Sequence, residues 1–313
     1  MRIPCPNDCG IAPAQAGWWL SGAWAGKFAR PFKQQKKSAP LNTLLLLKLT
    51  ITPLLVAGMS LAARRFGPTL GGLIMGLPWM TAPVLFFLGL ERGEVYLAQS
   101  AYGALLAVPS IAAFALSYAA LSRKQKWPLS LLAAAVMFAI SGWAIARLSV
   151  EPTIAAALGI AALLAAHAAI AKPPPLSAVP VLPWWDIPVR MSATAALVGL
   201  IAMSANNLGP ALVGVVSSYP VILTVVITFT HQRWGRDAAM AMLRGVMLSL
   251  MGFVAFFLVV TEFVGRWGLV WSYVLAVAAG LTVSMALLIF NRLQSRRSKL
   301  DAASPRKRRG KNQ

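Results

Sequence analysis

The chain has 313 residues, of which 58% are hydrophobic and 12% charged, and its mean hydropathy is +0.69. Soluble domains carry about 25% charged residues, so this composition excludes an ordinary water-soluble fold and implies an integral membrane protein. The formal charge of +21 sits mostly in two terminal arms and short loops, which fits phospholipid headgroups and membrane orientation and excludes nucleic-acid readout.

Residues 1–40 form a basic N-terminal arm. Its apolar patch around Trp18, Trp19, Leu20 and Trp24 is too short and Gly-rich for a span, and its basic residues follow the patch instead of preceding it as in a secretory signal. The arm reads as disordered or interfacial; a start of translation nearer the first span is the other reading. Cys5 and Cys9, the only cysteines, lie four apart beside no His cluster, so neither a metal site, a cofactor nor a disulfide framework is expected.

Apolar runs of about 20 residues, bounded by charges, Gly or Pro, predict nine membrane helices. They cover residues 42–63, 68–90, 96–121, 128–147, 152–171, 188–206, 209–231, 238–263 and 268–290. A Pro-rich linker at 171–188 separates the fifth from the sixth, with Trp184 and Trp185 suited to interfacial anchoring. The basic tail 292–313 closes the chain.

The stretch 67–93 recurs in diverged form at 209–235. At an offset of 142, Gly67, Pro68, Gly72, Pro78, Gly93 and Gly103 fall opposite Gly209, Pro210, Gly214, Pro220, Gly235 and Gly245, where chance predicts about 0.4 such matches. The expected fold is therefore an all-α transmembrane bundle with a four-span repeat at 41–150, an inverter span with linker at 151–187, and a second four-span repeat at 188–291. Five spans separate equivalent helices, an odd number, so the two repeats should enter from opposite faces. One face carries 17 basic residues and the other nine, which places the C-terminus in the cytoplasm. An eight-span arrangement with both arms cytoplasmic is the alternative.

Matched membrane helices interrupted by proline are the pattern of a transport site. Pro78 and Pro220 lie about ten residues into their spans, near the bilayer midplane at about 1.5 Å per residue, and each frees backbone carbonyls. A cavity lined by Gly76, Trp79, Thr81, Ser217, Ser218 and Tyr219 is the functional expectation, and a pair of packing kinks is the plain one. Lys48 and Arg190, also 142 apart, would attract an anion from the two faces or simply snorkel to headgroups. Arg244, with Asp237 two turns away, is the third cationic candidate. All eight acids lie in arms, loops or span ends, which leaves His167 as the deep group suited to coupling. No phosphate-binding Gly loop, HExxH or nucleophile elbow occurs, so an enzyme is not expected.

The string GGLIMGLPWMTAPVLFFLGLERG, preceded by Ala63 and Arg64 and followed by Gly103, Pro109 and a basic loop, resembles the small bacterial inner-membrane GlpM-like proteins. The resemblance spans residues 41–150 directly and 187–291 through the repeat, and it implies a unit of about four helices and a bacterial inner-membrane location without implying an activity. In the second copy the Glu-Arg-Gly ending is replaced by Arg233, Trp234 and Gly235. The fused, inverted arrangement is similar to drug/metabolite transporters. Together these features suggest a secondary transporter of a small anionic or neutral-polar solute in contact with anionic phospholipid, compatible with a homo-oligomer, or else a non-transporting accessory protein of the envelope.

Overall fold

The computed structural model describes residues 93–145, 147, 150–174, 185–205 and 219–303, with helical residues also at 54, 57, 58, 61, 65, 82, 85, 86, 89 and 90. The described residues form five helices: α1 (Glu94–Leu121), α2 (Trp127–Ile145), α3 (Pro152–Ala169), α4 (Asp186–Ala205) and α5 (Val221–Ala303). Their ends fall within a few residues of the expected spans from 96 to 206. The expected spans 42–63 and 68–90 lie largely outside the described residues. α3 opens with Pro152 in its first turn, where no intrahelical N–H is needed. α4 begins two residues ahead of Pro188, inside the stretch expected to be linker, because proline is tolerated in a first turn.

Among the described residues, four stretches are long and apolar enough to cross a bilayer: α1, α2, α3 and Val221–Leu287. The last has 67 residues. Straight, it would reach about 100 Å against a hydrocarbon core of about 30 Å, so the chain has to turn back. It does so at Gly235 (φ 81°, ψ 175°) and Gly268 (φ 74°, ψ 171°), conformations that a side chain would strain. Across the first turn, Thr230 Oγ1 meets Met242 Sδ at 3.7 Å. Across the second, Phe256 and Tyr273 stack edge-on at 5.5 Å, and the backbones of Gly252 and Gly280 approach so closely that a Cβ on Gly280 would lie 3.1 Å from the Gly252 carbonyl oxygen.

Positions 142 apart share local structure. Gly93, ahead of α1, has φ 88° and ψ 172°, the conformation of Gly235. Ser130 Oγ donates to the Lys126 carbonyl at 3.2 Å and Ser272 Oγ to the Gly268 carbonyl at 2.7 Å, the same one-turn bond at both members of the pair. Phe114 and Phe256, and likewise Ala134 and Ala276, are buried core residues.

α1 packs against α2, α3 and α5, while α3 lies between α1 and α5. The middle of α3 touches both neighbours: a Cβ on Gly159 would lie 3.2 Å from Val108 and 3.7 Å from Val254. Tyr102 donates to the carbonyl of Val150 at the start of α3, at 2.6 Å, and Arg244 binds the carbonyls of His167 and Ile170 at its end. Along α3, then, α1 advances from residue 102 to 108 in the direction of α3, and α5 advances from 244 to 254 against it.

The outer faces are apolar. Leu132 and Ile140 on α2, Leu158 and Leu164 on α3, and Trp271, Val274 and Met285 on α5 are exposed, a surface far too apolar for water and consistent with lipid contact.

Candidate functional site

Tyr219 and Pro220 lead directly into α5. Pro220 cannot donate, so the regular helix starts at Val221, and the N–H of Val221 closes a tight turn on the Tyr219 carbonyl at 2.8 Å. Thr224 N–H bonds the Pro220 carbonyl at 2.9 Å, and Thr224 Oγ1 donates to the Tyr219 hydroxyl at 2.9 Å. The Tyr219 ring is flanked by two others: it meets Phe114 of α1 edge-on at 6.1 Å and Phe138 of α2 at 5.4 Å. The reciprocal contact is made by the first copy, where Phe86 meets Tyr273 edge-on at 5.0 Å and the Tyr273 hydroxyl donates to the Ala82 carbonyl at 3.2 Å. Ala82 and Phe86 thus pack on the hairpin around Gly268, and Tyr219 on the α1–α2 hairpin.

Further along the same stretch, Thr228 Oγ1 donates back to the Thr224 carbonyl at 2.7 Å, and His231 Nδ1 lies 2.9 Å from the hydroxyl of Tyr118 on α1. Beyond them is a charged cluster. Asp186 is wholly buried, and Arg190, one turn on, is 3% exposed with its Nε 2.9 Å from Asp186 Oδ2. Arg233 lies 3.8 Å from the other carboxylate oxygen and its guanidinium covers Trp185 at 4.5 Å, while that of Arg190 covers Phe229 at 5.0 Å. Burying a carboxylate at the bundle end is tolerable because two guanidinium groups flank it.

Arg244 is engaged differently from the expected pairing with Asp237. Its guanidinium donates to the carbonyls of His167 and Ile170, two acceptors that the last turn of α3 leaves without helical donors. A second guanidinium nitrogen lies 3.0 Å from His167 Nε2, and His167 Nδ1 lies 3.2 Å from the Arg244 carbonyl. Only a neutral imidazole with its proton on Nδ1 satisfies both contacts. Asp237 pairs instead with its neighbour Arg236 at 3.6 Å, because Arg244 faces α3.

Of the residues singled out from sequence, Tyr219 and Pro220 come together at the start of α5, His167 and Arg244 at the end of α3, and Arg190 in the Asp186 cluster. Lys48, Gly76, Pro78, Trp79, Thr81, Ser217 and Ser218 lie outside the described residues. Sequence reasoning passed over Tyr118, His231 and Arg233 as site members, and it set Asp186 in the linker. The Asp186 to Arg190 spacing of four was the available signal. No protein-family model, no curated protein and no solved structure matches the chain.

Proposed function

We propose that this chain is a secondary transporter of the bacterial cytoplasmic membrane that moves a small neutral-polar or anionic solute by alternating access between two inverted halves. The observation that carries the reading is the grip on α3: Tyr102 and Arg244, 142 positions apart, hold opposite ends of one helix. Two equivalent segments running in opposite senses beside a shared helix are what a pseudo-two-fold axis in the membrane plane produces. With such an axis, the inward and outward states are built from the same contacts, exchanged between halves.

The solute site is at the start of α5, where Tyr219 and Thr224 supply hydroxyls beside the rings of Phe114 and Phe138. Arg190 is committed to Asp186 and Arg244 to the end of α3, so a neutral-polar solute fits better than an anion. The excess of basic residues on one face places the tail 292–313 in the cytoplasm. The GlpM-like resemblance of residues 41–150 implies a unit of about four helices and adds no activity.

The test is flux into proteoliposomes across a panel of sugars, amino acids and small organic acids. Tyr219→Phe with Thr224→Val should lower uptake of the transported solute at least about tenfold, since a site built to bond a hydroxyl or amide loses both partners; membrane insertion should be unchanged. No flux for any panel member would sink the reading. The same commitment of Arg190 and Arg244 to internal partners favours a second one, an accessory protein that moves no solute. In that case the double variant leaves every phenotype intact, and changes to the exposed face at Trp271 and Val274 abolish partner co-purification.

A further inference from the structure

The turn at Gly235 has features that packing alone does not account for. Within four residues, three side-chain N–H groups are enclosed without an acceptor among the described residues: Arg233 Nε, Trp234 Nε1 and Arg236 Nε. Their charged neighbours do not answer them. Arg233 Nε faces Asp186 Oδ1 as an ion pair at 3.8 Å, beyond hydrogen-bond reach, and Arg190 holds the other oxygen, Oδ2, at 2.9 Å. The pair of Arg236 with Asp237 is 3.6 Å long and runs through a different guanidinium nitrogen. Enclosed donors of this kind each cost about 1–3 kcal/mol unless something accepts from them.

Space and charge point the same way. At Gly235 a Cβ would meet no atom within 4 Å, so the ground beside the turn is open. Among the described residues, three guanidinium groups (Arg190, Arg233 and Arg236) pair with two carboxylates (Asp186 and Asp237), so the cluster carries more positive than negative charge. The matched turn is a control within the same molecule. Gly93 has the conformation of Gly235, yet the positions equivalent to Arg233 and Arg236 are Glu91 and Glu94. The turn itself therefore does not need arginine.

We propose that the Gly235 turn is a binding site for a phosphate group, held by Arg233, Trp234 Nε1 and Arg236. A tetrahedral, multiply charged acceptor satisfies guanidinium forks and an indole N–H together, which a lone carboxylate does not. The group can come from an anionic phospholipid headgroup or from a soluble phosphate. Trp185, which packs under Arg233, sits at the bundle end where headgroups lie. The site stands apart from the transport reading, and its test does not require flux.

The experiment uses the purified full chain in neutral detergent, with thermal unfolding followed after addition of phosphatidylglycerol, phosphatidylcholine or inorganic phosphate. Phosphatidylglycerol a few-fold above its dissociation constant should raise the midpoint by about 1–2 °C beyond phosphatidylcholine. Arg233→Gln with Arg236→Gln should abolish that difference, Arg236→Gln alone should weaken it, and Arg147→Gln, the same single charge loss at an exposed residue stacked on Trp143, should keep it. Should the double variant fail to fold, Arg236→Gln alone serves, because its partner Asp237 is half exposed. A rise with inorganic phosphate that the same variants remove supports the site and assigns it a soluble ligand. The proposal is overturned if phosphatidylcholine stabilises equally with no response to phosphate, or if Arg147→Gln loses as much as the turn variants.

Discussion

Asp186, Arg190 and Arg244 show how charge is managed inside a bundle with few acids. The buried Asp186–Arg190 pair is held at 2.9 Å, and breaking such a pair by removing one partner costs about 3–5 kcal/mol because the other charge stays buried. Asp186→Asn and Arg190→Gln should therefore each lower stability by that order, and the double variant by less than their sum, as read from unfolding midpoints in a double-mutant cycle. Additive losses would mean that the pair is not coupled. Arg244 satisfies carbonyls and not a carboxylate, so its geometry matters more than its charge. Arg244→Met should cost about 1.5–3 kcal/mol, Arg244→Lys should restore only part of it, and Tyr102→Phe, which removes a neutral bond at the other end of α3, about 1 kcal/mol. From the sequence, Arg190 and Arg244 read as cations awaiting an anion. Their partners were hidden for physical reasons. Asp186 looked like part of a Pro-rich linker because proline reads as a helix breaker, and backbone carbonyls at a helix end carry no sequence signature at all.

At the level of elements, the hairpin turns are single glycines where most helical connections use several residues. Gly93, Gly235 and Gly268 all have positive φ with extended ψ. Gly235→Ala should cost about 1–3 kcal/mol through backbone strain alone, since open space surrounds it, whereas Gly103→Ala, mid-helix with nothing within 4 Å, should be neutral or stabilising by up to about 1 kcal/mol. Thermal midpoints of the two variants in the same detergent decide the matter, and equal shifts would remove the argument from φ. Gly93 and Gly235 are legible as a repeat because identity at a fixed offset needs no structural knowledge, whereas Gly268, whose counterpart is Lys126, is not. Apolar run length likewise located α1, α2 and α3 to within a few residues, since the bilayer sets that length. What run length could not supply was partnership. Tyr219 was visible beside a proline, but its seat between Phe114 and Phe138 depends on which helices pack, and periodicity in an evenly apolar helix says little about that.

For the molecule as a whole, the contacts sort the helix ends into two groups. Gly268 approaches Glu94, a Cβ there lying 3.5 Å from its carboxylate, and Tyr102 reaches Val150, so the turns near 93, 150 and 268 share one face. Tyr118 meets His231 and Asp186 meets Arg233, so the turns near 122, 186 and 235 share the other. Gly93 and Gly235 thereby fall at opposite ends of the bundle, and the inverted arrangement proposed above becomes testable in intact cells. With Cys5 and Cys9 replaced by serine, single cysteines at Arg147 and Arg266 should react with a membrane-impermeant maleimide from one side. Cysteines at Lys124 and Arg236 should react from the other, and only after permeabilisation if the basic tail is cytoplasmic. Labelling of the Arg147 and Arg236 positions from the same side would break the two-fold relation and, with it, the case for alternating access. Labelling from opposite sides would leave the fold argument standing even if no solute in the flux panel moved, because it rests on which ends of α3 Tyr102 and Arg244 hold and not on what passes between them.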